Sequence, residues 1–394
     1  MTRLRALRAD LRGETALAVT FVVNGMVFAS LLPRLPQIKA QLGLGNAAFG
    51  FALLGAGIGG LLGSALAPRV LERAPRARTV VVAGLVLSLA GLGPPLVAAA
   101  PASAAAPALL LGIVLLVTGL ADAVHDVSMN VVALGLQRAR GASIMGRLHA
   151  TWSAGAVAAG AVGALAAARG VPVVVHLAFA VAVAMAALVL VARALPDPTR
   201  APEVASPSRG RLAGVWVVMG TVAVAAGLSE GPPMEWSAIY LRETLGTGPG
   251  VAGAAPACFM AAMLASRLLV DRAIDRWGAA TVAGAAGALV AVSMTAGLWI
   301  SSVTGSPVPA LVGFAGAGAG CAPVFPLLFV AGERLPVARN GGGAGAVSAL
   351  ARVGFLAASP LIGATSEGVG LAWALMIVAV GGVLISLSLP PRLR

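Results

Sequence analysis

Charge is scarce in this chain. Of its 394 residues only 10% are Asp, Glu, Lys or Arg, where a soluble domain of this size carries about 25%. So little polar surface cannot cover a water-soluble globule. Aromatic residues are scarce too, at 4%, which weighs against a large pocket for hydrophobic drugs. There are two cysteines and three histidines, and they show neither a disulfide framework nor metal-ligand spacing. Cys258 and Cys321 both fall in apolar runs and read as small packing residues. No Gly-Lys-Ser/Thr sequence follows a strand-like run, so no phosphate cradle for ATP is expected, and no nucleophile–base triad is present. The chain is expected not to be an enzyme, to need no cofactor and no metal, and to draw its energy from a gradient.

What the chain does have is apolar length. It is 59% hydrophobic, with a mean hydropathy of +0.96. A span needs about 20 mostly apolar residues to cross the hydrocarbon core. Twelve segments qualify: 15–33, 47–70, 78–100, 107–136, 146–168, 172–193, 212–240, 250–270, 278–300, 306–331, 341–364 and 369–389. The basic start followed by an apolar run resembles a signal peptide. The run is long, lacks a cleavage site and is followed by more spans, so it reads as an uncleaved first helix. A polar gap at 195–211 holds Pro196, Pro198, Pro202 and Pro207 and divides the spans six and six. The expected fold is an all-α membrane protein, with twelve transmembrane helices in two pseudo-symmetric six-helix bundles. Residues 1–194 form the N-terminal bundle, 195–211 a cytoplasmic linker and 212–394 the C-terminal bundle.

The net charge of +13 could suggest nucleic acid, but the arginines form no single patch. They sit in alternate short loops. With a cytoplasmic N-terminus, the inside set is Arg3, Arg5, Arg8 and Arg12; Arg69, Arg73, Arg76 and Arg78; Arg138, Arg140 and Arg147; Arg193, Arg200, Arg209 and Arg211; Arg267, Arg272 and Arg276; Arg334 and Arg339; and Arg392 and Arg394. Only Arg34, Lys39, Arg169 and Arg242 fall outside, and Arg352 lies mid-span. This bias fits twelve spans with both termini inside a bacterial cytoplasmic membrane. The halves also repeat: Arg69, Glu72 and Arg73 match Arg272, Asp275 and Arg276 at one constant offset. A six-helix unit used twice predicts a solute site where the halves meet, near mid-membrane.

This arrangement resembles the major facilitator superfamily. Asp271-Arg272 and Arg276 in the second copy, and Gly63 and Arg69 in the first, match its loop motif in part, with Pro68 in place of the acid. Two stretches, Asp122-Ala-Val-His125-Asp126-Val-Ser-Met-Asn130 with Leu148-His149-Ala-Thr-Trp152, and Glu230-Gly-Pro-Pro-Met-Glu235-Trp236, are similar to a bacterial branch near the fucose-permease-like proton–sugar symporters. The resemblance implies a transporter and leaves its substrate open.

Charged residues inside spans cost about 2.5–3.5 kcal/mol each on insertion scales and persist when paired or when facing a wet cavity. Asp122, Asp126 and Asn130 line one helical face at i, i+4 and i+8. Asp122 and Asp126, with His125 as a relay, are candidate proton-coupling residues; the alternative is a hydrogen-bond network joining helices. Asn24, Asn130, Glu230, Glu235, Trp236 and Arg352 are candidate solute-binding residues. Pro232 and Pro233 predict a break in the seventh span that frees carbonyls toward a cavity. Trp236 either stacks on a sugar ring or anchors the span at the outer interface, with the anchor favoured. A mid-membrane arginine demands an acid, and Asp122, Asp126 or Glu230 could serve Arg352.

Arg69, Glu72, Arg73, Asp271, Arg272, Asp275 and Arg276 are candidate gating residues that hold the cytoplasmic side closed through ion pairs. His149 and Trp152 are candidates for the same inner gate, and His176 has no assigned role. The glycine runs from Gly55 and from Gly313 allow close helix approach, and Pro323 and Pro326 predict a bend in the tenth span. The function expected is proton-coupled uptake of a small polar solute, a sugar or related metabolite, by a monomer whose partners are that solute, protons and lipid, with no nucleic acid. The alternative is a proton-driven exporter of drugs or a secondary metabolite; the fifth span has glycines but no Gly-Pro, which weighs against export. A receptor or scaffold and a channel are disfavoured by the intramembrane carboxylates and by the repeat.

Overall fold

The computed structural model describes residues 2–100, 106–141, 144–197, 213–333 and 342–388. Most of the expected linker, including Arg200, Arg209 and Arg211, lies outside the described residues, as do Arg334, Arg339, Arg392 and Arg394. Among the described residues the fold is all-helical, with twelve membrane-spanning helices. These are α1 (Thr2–Leu31), α2 (Asn46–Arg73), α3 (Arg76–Ala90), α4 (Pro107–Arg140), α5 (Met145–Ala168), α6 (Val173–Val191), α7 (Ala213–Ile239), α8 (Pro249–Trp277), α9 (Ala279–Thr304), α10 (Pro307–Cys321), α11 (Gly342–Val369) and α12 (Met376–Ser388). Among the described residues, nine spans are long and apolar enough to cross a membrane; α7, α11 and the shorter α12 complete the set.

Prolines set several element edges. After α1 the chain tightens into a 3-10 turn at Leu32–Arg34 and resumes as a helix at Leu35–Gln41, because Pro33 and Pro36 lack the N–H that an unbroken helix would use. The first span therefore reaches Gln41, and Arg34 and Lys39, expected in an exposed loop, are buried. α3 pauses before a short helix at Gly93–Ala98. α10 stops at Cys321 and restarts as Val324–Glu333, and Pro323 marks the interruption. The break expected at Pro232-Pro233 is absent: α7 runs through both prolines. Two prolines delete two donors, but the flanking ladder holds the axis. The irregularity comes about two turns later, as a π-helical turn at Tyr240–Thr244.

By contacts the chain divides into one unit of residues 1–44 and 52–201 and a second of 45–51 and 202–394, so the first residues of α2 group with the second unit. In the first unit the most extensive packing is α1 on α5, and in the second α7 packs tightly on α11. Both crossings use the same device. A Cβ at Gly25 would overlap the carbonyl of Trp152, three residues before Gly155, and a Cβ at Gly155 would crowd the carbonyl of Val22, three residues before Gly25. In the second unit Gly227 lies on the carbonyl of Ala351, and Gly354 on that of Val224. Each unit thus holds a reciprocal glycine pair that brings two backbones into contact, the close approach that small residues permit between membrane helices. The expected glycine runs act likewise. Gly55, Gly59 and Gly63 of α2 lie on carbonyls of α4, and Gly313, Gly318 and Gly320 of α10 lie on carbonyls of α9 and α8.

Candidate functional site

In the first unit, Asn24 is the centre of a hydrogen-bond cluster that joins three helices. It sits mid-way along α1 at 4% exposure. Its Nδ2 donates to Asp122 Oδ1 of α4 at 2.8 Å and meets His125 Nδ1 at 3.2 Å. Its Oδ1 accepts from Trp152 Nε1 of α5 at 2.7 Å. An indole N–H only donates, so the amide orientation is settled: oxygen toward Trp152, nitrogen toward α4. His125 Nδ1 then acts as an acceptor, which places the proton of a neutral ring on Nε2. That atom is buried with no hydrogen-bond partner and lies over Gly84, where a Cβ would come within 2.9 Å of it. By sequence these four residues sort differently, Asn24 with the solute, Asp122 and His125 with the proton and Trp152 with the gate, yet here the other three share the Asn24 amide.

One turn along α4, Asn130 Nδ2 donates to both Asp126 Oδ1 at 3.0 Å and the Asp126 carbonyl at 2.9 Å. The expected i, i+4 face is present, with Asn130 serving Asp126. His149 of α5 meets the edge of Phe21 at 5.3 Å between ring centroids.

In the second unit, Glu235 and Trp236 meet a residue that the sequence does not single out. Ser359 of α11 donates through Oγ to Glu235 Oε2 and accepts from Trp236 Nε1 at 3.0 Å. Trp236 is completely buried, so the expected role as an outer-interface anchor is corrected: its ring is sealed from lipid, edge-on to Phe49 at 5.8 Å. Phe49 belongs to the part of α2 that groups with this unit. Nothing in a lone serine within an apolar run marks it in advance; only the proline that follows it, Pro360, sets it apart.

Glu230 Oε2 is buried without a hydrogen-bond partner. A cation whose field reaches it is Arg267 of α8, which lies inside the helix near the end of the expected eighth span. Arg352, half-buried on α11, makes no ion pair among the described residues, with Glu230 or with either of the other candidate acids, Asp122 and Asp126. Tyr240 is a further buried polar group of this unit: its hydroxyl has no partner, and its ring meets Phe314 edge-on at 6.3 Å.

The expected gating residues occupy helix ends. Arg69, Glu72 and Arg73 fall on the last turns of α2, and Asp271, Arg272, Asp275 and Arg276 near the end of α8. Arg69 donates to the Ala65 carbonyl of its own helix, and Arg276 lies over the Trp277 ring at 5.7 Å. The ion pairs among the described residues lie elsewhere. Glu14 of α1 binds Arg140 at the end of α4 and Arg147 at the start of α5, the latter through Nη2 at 2.7 Å. Nearby, Asp197 Oδ1 accepts from the backbone N–H of Arg76 at 3.0 Å and caps α3.

Comparisons with known proteins decide what this scaffold is. No family model matches. An uncharacterized transporter of Sinorhizobium fredii, y4wD, is 32% identical over 333 residues, covering 83% of this chain and 83% of the relative. An uncharacterized MFS-type transporter of Yersinia pestis is 29% identical over 372 residues, covering 91% of this chain and 90% of the relative. The chain belongs to the major facilitator superfamily. In fold it is similar to the xylose transporter XylE of E. coli, with a TM-score of 0.75 at 15% identity over 96% of this chain and 97% of that one. It is similar also to the nucleoside transporter NupG, with a TM-score of 0.74 at 16% identity over 95% and 98%. As a superfamily member it is a multi-pass membrane transporter of a small molecule and not an enzyme.

Proposed function

We propose that this superfamily member couples proton movement to uptake of a small polar solute, a sugar or related metabolite, by alternating access, with both termini cytoplasmic and a monomer as the working unit. The observation that carries the reading is the Asn24 cluster: a carboxylate held in mid-span by a neutral amide, beside a histidine with a buried, unpartnered nitrogen. A neutral donor can stay in place whether or not the acid is protonated, whereas a fixed cation would pin the charged form. Asp122 carries the proton, with His125 beside it and Asp126 one turn on. Asn24, Asn130, Glu230, Glu235 and Arg352 supply polar contacts to the solute, and Trp236 supports Glu235 from its sealed position. The helix-end charges at Arg69, Glu72, Arg73, Asp271, Arg272, Asp275 and Arg276, together with His149 and Trp152, form the gate. A solved fold-neighbour is described as a D-xylose–proton symporter, which agrees with this substrate class and coupling ion.

The test is Asp122→Asn in proteoliposomes with a panel of radiolabelled sugars and nucleosides. Accumulation driven by a pH gradient falls to the level of protein-free vesicles, while solute exchange at equal concentrations continues. Normal accumulation in the variant would overturn the proton assignment.

A further inference from the structure

Ser359 is bonded on both sides, and the two bonds have fixed senses. Trp236 Nε1 can only donate, so Ser359 Oγ accepts there, and its single hydrogen goes to Glu235 Oε2. This arrangement suits an ionised Glu235, which accepts only. A protonated Glu235 has a hydrogen of its own to place, and Ser359 Oγ is the acceptor beside it. The serine hydrogen must then turn elsewhere.

The sequence provides the destination. Pro360 follows Ser359 inside α11 and has no N–H, so the carbonyl of Leu356, four residues before it, loses its helical donor. Leu356 is three residues before Ser359, and serine hydroxyls commonly bond a carbonyl at that spacing. Ser128 to His125, Ser366 to Gly363 and Thr20 to Leu17 do so in this molecule at 2.9, 2.9 and 2.7 Å.

We propose that Ser359 is a positioning residue with two hydroxyl orientations, which passes the protonation of Glu235 to Trp236 and to α11. In one orientation it donates to the carboxylate. When Glu235 gains a proton from water, the new O–H donates to Ser359 Oγ and the serine hydrogen swings to the Leu356 carbonyl. The O–H bond that forms on Glu235 is matched by the one that breaks on the donating hydronium ion, which leaves as water, and no other covalent bond changes. Ser359 Oγ then accepts two hydrogen bonds in place of one, which weakens its hold on the Trp236 N–H. Several charged groups sit on elements packed against α7: Arg267, Asp271, Arg272, Asp275 and Arg276 on α8, Arg352 and Glu367 on α11, and Arg242 and Glu243 in the π-turn. None of them acts on Glu235 as Ser359 does. This proposal rests on the proton-coupled reading only in that Glu235 changes its protonation.

The experiment uses the purified full chain with Trp236 as its sole tryptophan, without solute or gradient, so its outcome is independent of whether Asp122 drives accumulation. The infrared carboxyl band of Glu235, identified by its loss in Glu235→Gln, and the Trp236 emission are followed against pH. The two are expected to change together. In Ser359→Ala the carboxyl band still titrates while the emission stays flat. Ser359→Thr keeps the hydroxyl and the coupling, and Pro360→Ala, which restores the N–H to Leu356, reduces the emission change. The proposal is overturned by a flat emission in the parent protein across the titration, by a parent-like response in Ser359→Ala, or by a Glu235 band that never titrates.

Discussion

The two units hold their carboxylates by the same sequence of groups, an indole N–H, a polar relay and an acid, but with different relays. In the first unit Trp152 donates to Asn24, which donates to Asp122. In the second Trp236 donates to Ser359, which donates to Glu235. An amide keeps its acceptor and its donors on separate atoms, so Asn24 holds the same bonds whichever protonation state Asp122 takes. A hydroxyl has one hydrogen and one oxygen for both tasks, so Ser359 must reorganise. One cluster is built to stay put while its acid titrates, and the other to respond.

Breaking the relays is expected to give the largest effects. Asn24→Leu removes one side chain and leaves three groups without it: the Trp152 N–H, Asp122 and His125. His125 is fully buried and the other two groups are part-buried; at about 1 kcal/mol for a lost hydrogen bond and about 1–3 kcal/mol for a buried group left unsatisfied, the loss is on the order of 3 kcal/mol, with uptake abolished; thermal unfolding in detergent and a vesicle assay read the two effects. Ser359→Ala orphans two groups and is expected to cost roughly 2–4 kcal/mol by the same accounting. If Ser359→Ala proves costlier than Asn24→Leu, the amide is not the more deeply committed relay.

Next come the glycine pairs, which test whether the units are equivalent where their relays differ. Gly25→Ala and Gly354→Ala each force a methyl group onto a backbone carbonyl, at a cost of about 1–3 kcal/mol. The two unfolding shifts are expected to agree, and a clear disparity would show that one crossing bears more of the fold. The smallest effect belongs to the Glu14 clamp. Arg147 is mostly exposed, so Glu14→Gln is expected to cost under about 1 kcal/mol and to leave the pH dependence of uptake unchanged.

Much of the fold is legible in the sequence, because a bilayer imposes length and hydrophobicity on each crossing and the arginines alternate with it. Asn24, Asp122 and His125 also stand out, as polar groups in apolar runs at helical spacing. Three features are not legible, each for a physical reason. The continuity of α7 through Pro232-Pro233 depends on neighbouring turns, which a proline rule does not see. Burial of Trp236 depends on Phe49, far away in the chain. Arg267 sits at the inner end of the eighth span, among the residues that hydropathy and charge bias assign to the cytoplasmic side, and so it draws less notice as a neighbour for Glu230 than the mid-span Arg352. Ser359 is hardest of all, since a single hydroxyl in an apolar helix gains meaning only from what lies across from it.

The reciprocal glycine pairs carry a mechanical consequence. Where Gly25 meets Gly155, and Gly227 meets Gly354, backbone touches backbone, and side chains such as Asn24 and Trp152 meet beside the crossing. A small rotation there turns about backbone contact and must carry along the bonds beside it, Trp152 to Asn24 in one unit and Trp236 to Ser359 in the other. Each unit therefore contains a close backbone crossing within about a turn of a group that its relay uses: Asn24 in one, and in the other the backbone carbonyl of Leu356, the spare acceptor of Ser359.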